Sequence, residues 1–190
     1  MKAIILTKSL KKLVQTTKGF VKRTDAARPA ENFIRLEFSK EFSLVTAVAI
    51  DGFRMSVEHS DCFEIDEDFT AYIKFDIPKG SRDSYAAVEV KDGTCFIEVD
   101  GQIIGYKQPS GEFIEWRTIL DGAKNKPETL RIGFNGEYLL SALQAAKISS
   151  GGLLERPVVL EFRGPLDPVL LKTNEDNWKM VLPVRLKGDD

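Results

Sequence analysis

The residues best suited to chemistry are few and scattered. The single histidine, His59, precedes Asp61 by two positions and Cys62 by three, and this is the only place where base, acid and nucleophile are neighbours. Side chains three apart on a strand or its flanking loop need not face each other, so the spacing alone builds no catalytic pair. The second thiol, Cys95, lies far along the chain, and two cysteines with one histidine fall short of a zinc ligand set. Both read as buried or idle thiols, and no metal or cofactor is expected. The carboxylates Asp61, Glu64, Asp66, Glu67 and Asp68 lack the loop glycine and ligand spacing of a calcium site and read as a solvated loop. No G-x-S-x-G, phosphate loop or H-E-x-x-H occurs. The chain therefore reads as non-catalytic, with an uncharacterised enzyme as the alternative of another class.

Charge points elsewhere. Residues 1–28 hold eight basic side chains and one acid, Asp25, a balance of +7 against −9 for the rest of the chain. A basic segment on an acidic body confines phosphate attraction to one region. The sharper reading is sequence-independent DNA contact through Lys8, Lys11, Lys12, Lys18, Lys22 and Arg23, and the plainer one is a solvated helix face. The 190 residues suffice for one large domain or two small ones. No apolar run approaches the roughly 18–20 residues of a bilayer span. Residues Ala3–Leu6 are too short for a signal-peptide core, so a cytoplasmic location is expected.

Apolar spacing supplies the elements. Leu10, Leu13, Val14 and Thr17 recur at helical period, predicting a basic amphipathic helix over 8–18 with Thr7 as N-cap and Gly19 as stop. Alternation predicts strands over 33–38, 43–50, 54–59, 70–75, 86–91, 95–99 and 102–108. Asp92-Gly93 and Asp100-Gly101 are hairpin signals, and 77–82 is turn-like. The polar stretch 121–128, with Gly122 and Pro127, is taken as a domain boundary. Beyond it come a strand over 130–134, a helix over 136–147 capped by Asn135 and ended by Ser149-Ser150-Gly151-Gly152, and strands over 158–162, 169–172 and 178–182. In that helix Leu140 and Leu143 are expected to be core. Helix plus strands, strands alone, then helix plus strands reads as a degenerate α+β repeat.

Four segments resemble the bacterial DNA sliding clamp family, the beta subunit of DNA polymerase III. Val48-Ala49-Ile50-Asp51-Gly52-Phe53-Arg54-Met55 is similar to the strand and T-D-G-H-R-L turn of the clamp middle domain. Ile132-Gly133-Phe134-Asn135-Gly136-Glu137-Tyr138-Leu139-Leu140 is similar to the I-G-F-N-x-x-Y-L/V-L segment before the last helix. Leu182-Pro183-Val184-Arg185-Leu186 resembles the C-terminal M-P-M-R-L, and Gly111–Arg117 more weakly the G-x-F-P-D-Y-R segment. Phe53, Ile50 and Ile114 replace the family's histidine, threonine and proline. The family is about twice as long, so the resemblance implies a shortened, DNA-clamp-like α+β form. It would have antiparallel sheets, two amphipathic helices and about one and a half clamp domains. Residues 1–120 would match the middle domain, its second helix lost or reduced to the 77–85 region, and 121–190 the second half of the C-terminal domain.

The same resemblance implies a function, a processivity or docking factor in DNA replication or repair. In the family, partners insert a short peptide between the middle and last domains. Carried over by motif, one wall would be Asp51, Gly52, Phe53, Arg54 and Met55, with Ile119 at the rim. The other would be Asn135, Tyr138, Leu166, Pro168, Met180, Val181, Leu182, Pro183, Val184, Arg185 and Leu186. Met55, Leu182, Val184 and Leu186 suit an apolar slot, and Arg54, Asn135 and Arg185 suit polar groups of the peptide. Two versions follow: a homo-oligomer that encircles DNA, and an adaptor or decoy that binds clamp partners without encircling it.

Overall fold

The computed structural model describes residues 1–22, 26–81, 83–125, 127–128, 130–149 (148 and 149 by backbone alone), 158–172 and 177–186. Contacts divide the chain into two units, Met1–Trp116 and Arg117–Asp190. Strand β1 (Lys2–Leu6) opens the first, with Ala3 and Ile5 fully buried between outward-facing neighbours. Five residues give too few alternations to stand out, and in sequence this strand reads only as an apolar stretch. Helix α1 (Thr7–Thr17) buries Leu10, Leu13, Val14 and Thr17, the stripe its spacing predicts. Thr7 is not the N-cap but the first helical residue, and Leu6 holds the cap position without a side-chain bond. The Thr7 amide donates to the Ser84 carbonyl and its hydroxyl accepts from Ser84 Oγ, both at 2.9 Å. A long-range partner thus replaces the local cap. At the other end the Thr16 and Thr17 hydroxyls donate back to the Lys12 and Leu13 carbonyls at 3.0 and 2.6 Å. A tight turn over Lys18–Phe20 follows, so Gly19 lies inside a 3-10 turn and is not the stop.

Eight strands complete this unit: β2 (Ile34–Ser39), β3 (Leu44–Ile50), β4 (Met55–Asp61), β5 (Glu64–Ile65), β6 (Phe69–Ile73), β7 (Tyr85–Lys91), β8 (Thr94–Val99) and β9 (Gln102–Lys107). They form two antiparallel sheets in the orders β5-β1-β7-β8-β9 and β4-β3-β2-β6. β5 interrupts the acidic run read as loop, because Ile65 pairs with Ala3 and is buried. The β7–β8 and β8–β9 hairpins turn on Asp92-Gly93 (φ 48° and 70°) and Asp100-Gly101 (φ 48° and 77°), the double positive φ that Asp-Gly accepts. One core joins both sheets and α1, with Ile5, Val88 and Ile97 from the first sheet and Ile34, Leu36 and Val45 from the second.

The connectivity carries a repeat. β1-α1-β2-β3-β4 is a lead strand, a helix and three antiparallel strands, and β6 followed by β7-β8-β9 is the same without a helix. Among the described residues of the 74–84 connection there is none. Each lead strand sits in the other half's sheet, β1 beside β7 and β6 beside β2.

Helix α2 (Trp116–Lys124) corrects the expected helix count from two to three among the described residues. Trp116, Ile119, Leu120 and Ala123 have helical spacing, and a helix tolerates Gly122 at a cost of about 1 kcal/mol. The polar run 121–128 masked that pattern. In the second unit a two-residue strand β10 (Gly133–Phe134), shorter than expected, leads into helix α3 (Gly136–Ser149), which covers the whole expected 136–147 segment and two residues more. Strands β11 (Val159–Glu161), β12 (Val169–Lys172) and β13 (Trp178–Val181) form an antiparallel sheet in that order, and β14 (Pro183–Val184) pairs with β10. The order β10-α3-β11-β12-β13 is the half-unit again. Its core is small: Val169, Leu171 and Val181, with Phe134, Ala142, Leu143 and Val158 packed against them. Leu143 joins it, but Leu140 is 52% exposed, correcting the expectation of core. The stop at 150–152 lies outside the described residues. No helix among the described residues is long and apolar enough to cross a membrane.

Candidate functional site

The connection from β3 to β4 is built around one carboxylate. Asp51 Oδ1 accepts from the Phe53 and Arg54 amides, each at 3.1 Å, and Gly52 supplies the φ of 90° that this turn requires. Arg54 Nε donates to Asp51 Oδ2 at 2.8 Å, and its Nη2 donates to the Gly19 carbonyl at 2.8 Å. The guanidinium also lies 5.1 Å from the centre of the Phe20 ring. The turn is thereby tied to the end of α1, and the Arg54 hydrogen bond, more than any other contact, holds the Asp51 carboxyl below its ordinary value. Phe53, at the tip, is 99% exposed.

Beside the turn runs an open groove of about 920 Å³, lined by Lys18, Gly19, Val21, Lys22, Pro29, Asn32, Phe33, Asp51, Phe53, Arg54, Lys74 and Phe75. Lys74 lies 5.2 Å over the Phe33 ring, and Lys22 approaches Glu31 at 4.0 Å. The groove thus joins aromatic surface to four cations. It can hold an extended segment with apolar side chains on the rings and acceptors facing the lysines. Of the expected wall, Asp51, Phe53 and Arg54 line it, whereas Met55 is half-buried as the first residue of β4, paired with Ile50. Phe33, Lys74 and Phe75 were not singled out in the sequence. They come from the ends of β2 and β6, and only sheet pairing brings them beside the turn. Lys18 and Lys22, grouped by sequence with the helix lysines, line this groove instead. Lys8 and Lys12 stay exposed on α1, Lys11 is half-buried, and Arg23 lies outside the described residues.

The second unit gathers much of the other expected set. Asn135 Oδ1 caps α3, accepting from the Glu137 and Tyr138 amides at 3.0 and 3.3 Å. β14 brings Pro183 opposite Phe134 and Val184 opposite Gly133, and Leu186 packs so closely on Gly133 that a Cβ there would lie 2.5 Å from Leu186 Cδ2. Met180, Leu182, Val184, Tyr138 and Leu166 are all exposed large apolar side chains, while Val181 is buried in the core. Arg185 is exposed and Pro168 half-buried. Ile119 is 45% exposed on α2. The structure thus forms a strip from Asn135 and Tyr138 to the 182–186 tail within this unit.

The His59 neighbourhood does not assemble a nucleophile. His59 Nδ1 is 3.0 Å from Thr46 Oγ1, while the Cys62 thiol is buried and pushed up to about 12 by desolvation and then by the Asp61 charge. Cys95 is likewise buried and raised to about 12. Among the described residues no group of three or more His, Cys, Asp or Glu is placed to hold a metal ion.

Sequence comparison with protein families and with curated proteins gives no match. Solved structures do match. The beta subunit of DNA polymerase from Streptococcus pyogenes superposes with TM-score 0.75 at 16% identity over 97% of this chain and 50% of its own. The DNA polymerase III beta chain of Streptococcus pneumoniae gives 0.73 at 16% identity over 97% and 50%. The Helicobacter pylori beta clamp bound to a DNA ligase peptide gives 0.59 at 15% over 96% and 51%. The chain has the fold of the bacterial sliding clamp and spans about half the length of each of these three.

Proposed function

We propose that this chain is a sliding-clamp-like docking factor for replication or repair proteins, and that it takes their peptides at the Asp51–Arg54 groove and at the Asn135–Leu186 strip. The groove carries the proposal. A fully exposed Phe53 stands on a turn fixed by Asp51, Arg54 and Gly19, and such prior ordering lowers the cost of holding a ligand. The fold adds support, since the Helicobacter pylori clamp of this fold is bound to a DNA ligase peptide. Phe33, Phe53 and Phe75 would seat apolar side chains, and Lys18 and Lys74 would take carboxylates or peptide carbonyls. The test is calorimetric titration of a peptide carrying leucine and phenylalanine anchors into wild type, Phe53→Asp and Leu182→Asp. Micromolar binding, about −8 kcal/mol, is expected, with a loss of at least about 2 kcal/mol in the variant of whichever surface holds the peptide. Unchanged affinity in both variants would place the site elsewhere.

A DNA contact is the second component, favoured by the exposure of Lys8 and Lys12 on the wet face of α1. It would be weak, indifferent to sequence and steeply salt-dependent. Anisotropy of a labelled duplex at low salt should fall to background when both lysines become glutamate. If wild type fails to bind under the same conditions, the adaptor version of the function remains.

A further inference from the structure

Among the described residues the second unit shows one half of the first unit's repeat and not the other. In the first unit the strip beside β2 is filled by β6, the lead strand of the other half. In the second unit the sheet order is β11-β12-β13, and among the described residues no strand pairs with the outer edge of β11. The side chains that the other half would cover are correspondingly open. Counted from the helix start, Leu10, Leu13 and Val14 of α1 match Leu139, Ala142 and Leu143 of α3. The first three are at most 3% exposed, whereas the second three are only half-buried. Leu160 lies on the same face as its partner Leu171, which is fully buried, yet Leu160 is 42% exposed and Phe162, two residues on, 45%. On this edge Glu161 holds Arg163 at 2.7 Å, and the lead segment 130–134 carries Arg131, so pairing the two about a two-fold axis places an acid and basic side chains together on each seam.

We propose that a second copy of this chain supplies the missing half. Two second units pair about a two-fold axis, the lead segment of each lying along the β11 edge of its partner. Leu160, Phe162 and Leu143 of both copies then enter a common core, as the two halves of the first unit already share one. Such an interface is self-complementary, so a single half-unit on each side suffices. This inference stands independently of peptide docking.

Sedimentation equilibrium of the full chain should give an even multiple of its 21.3 kDa mass. The double substitution Leu160→Glu and Phe162→Glu should weaken dimerisation at least about 30-fold. Val159→Lys, on the opposite face of the same strand, should leave it within about twofold. Circular dichroism checks that each variant keeps its fold, and hydrogen exchange at high and low concentration gives a reading on the unaltered chain, where 159–161 amides should gain protection as copies associate. A monomer at tens of micromolar overturns the proposal, as does a dimer that survives the β11 double substitution. An assembly abolished instead by Ile103→Glu on β9, an edge strand of the first unit, overturns it too.

Discussion

At the scale of single residues, Asp51 and Arg54 do most to shape the site. The Asp51 carboxyl is held below its ordinary value of 3.8, chiefly by the Arg54 hydrogen bond. Its contribution to stability is therefore present above that pH and falls away as the pH drops through the lowered value. Because Arg54 is 60% exposed, solvent screening keeps the contribution small. Urea midpoints of wild type and Asp51→Asn should differ at neutral pH and converge in acid; a gap that persists under acid would mean the ion pair is not its source. The thiols give a second prediction. Cys62 and Cys95 are buried and raised from 9.0 to about 12, so an aromatic disulfide reagent at pH 8.5 should react with the native protein at least about tenfold slower than with the denatured chain. The sequence already marked Asp51, Phe53 and Arg54. It did not mark Phe33, Lys74 or Phe75, because nothing local tells a strand end that it will neighbour a turn some twenty residues away.

Among elements, strong local chemistry was readable and long-range chemistry was not. Both Asp-Gly hairpins form as predicted, since their φ values follow from residue type alone. Gly101→Val should cost at least about 1 kcal/mol for that reason, read as a lower urea midpoint with an unchanged slope. Helix α1 keeps its predicted apolar stripe, but its start is fixed by Ser84, far along the chain, which no capping pattern announces. Leu10 is fully buried under it, and Leu10→Ala should cost about 2–5 kcal/mol in the same assay. Helix α2 was lost to a polar run whose apolar positions are only four.

For the whole molecule, the two cores are unequal. Among the described residues the first unit buries more than twenty apolar residues in one cluster, whereas the cluster of the second holds three buried positions and a few partly buried neighbours. Thermal unfolding should therefore depart from a single transition. Amides of β12 and β13 should exchange before those of β2 and β3, and equal protection in both sets would contradict this. Composition and repeat pattern disclosed the α+β class. The division of the repeat into two and one could be seen only after the strands were paired.

The crossing of β1 and β6 into each other's sheets has a consequence for chain continuity. Each half holds a strand that the other needs, so the covalent link through 74–81 does little to keep them together. The first unit could then be split there and still function as a complementing pair: two fragments, expressed apart, reassembling by strand exchange.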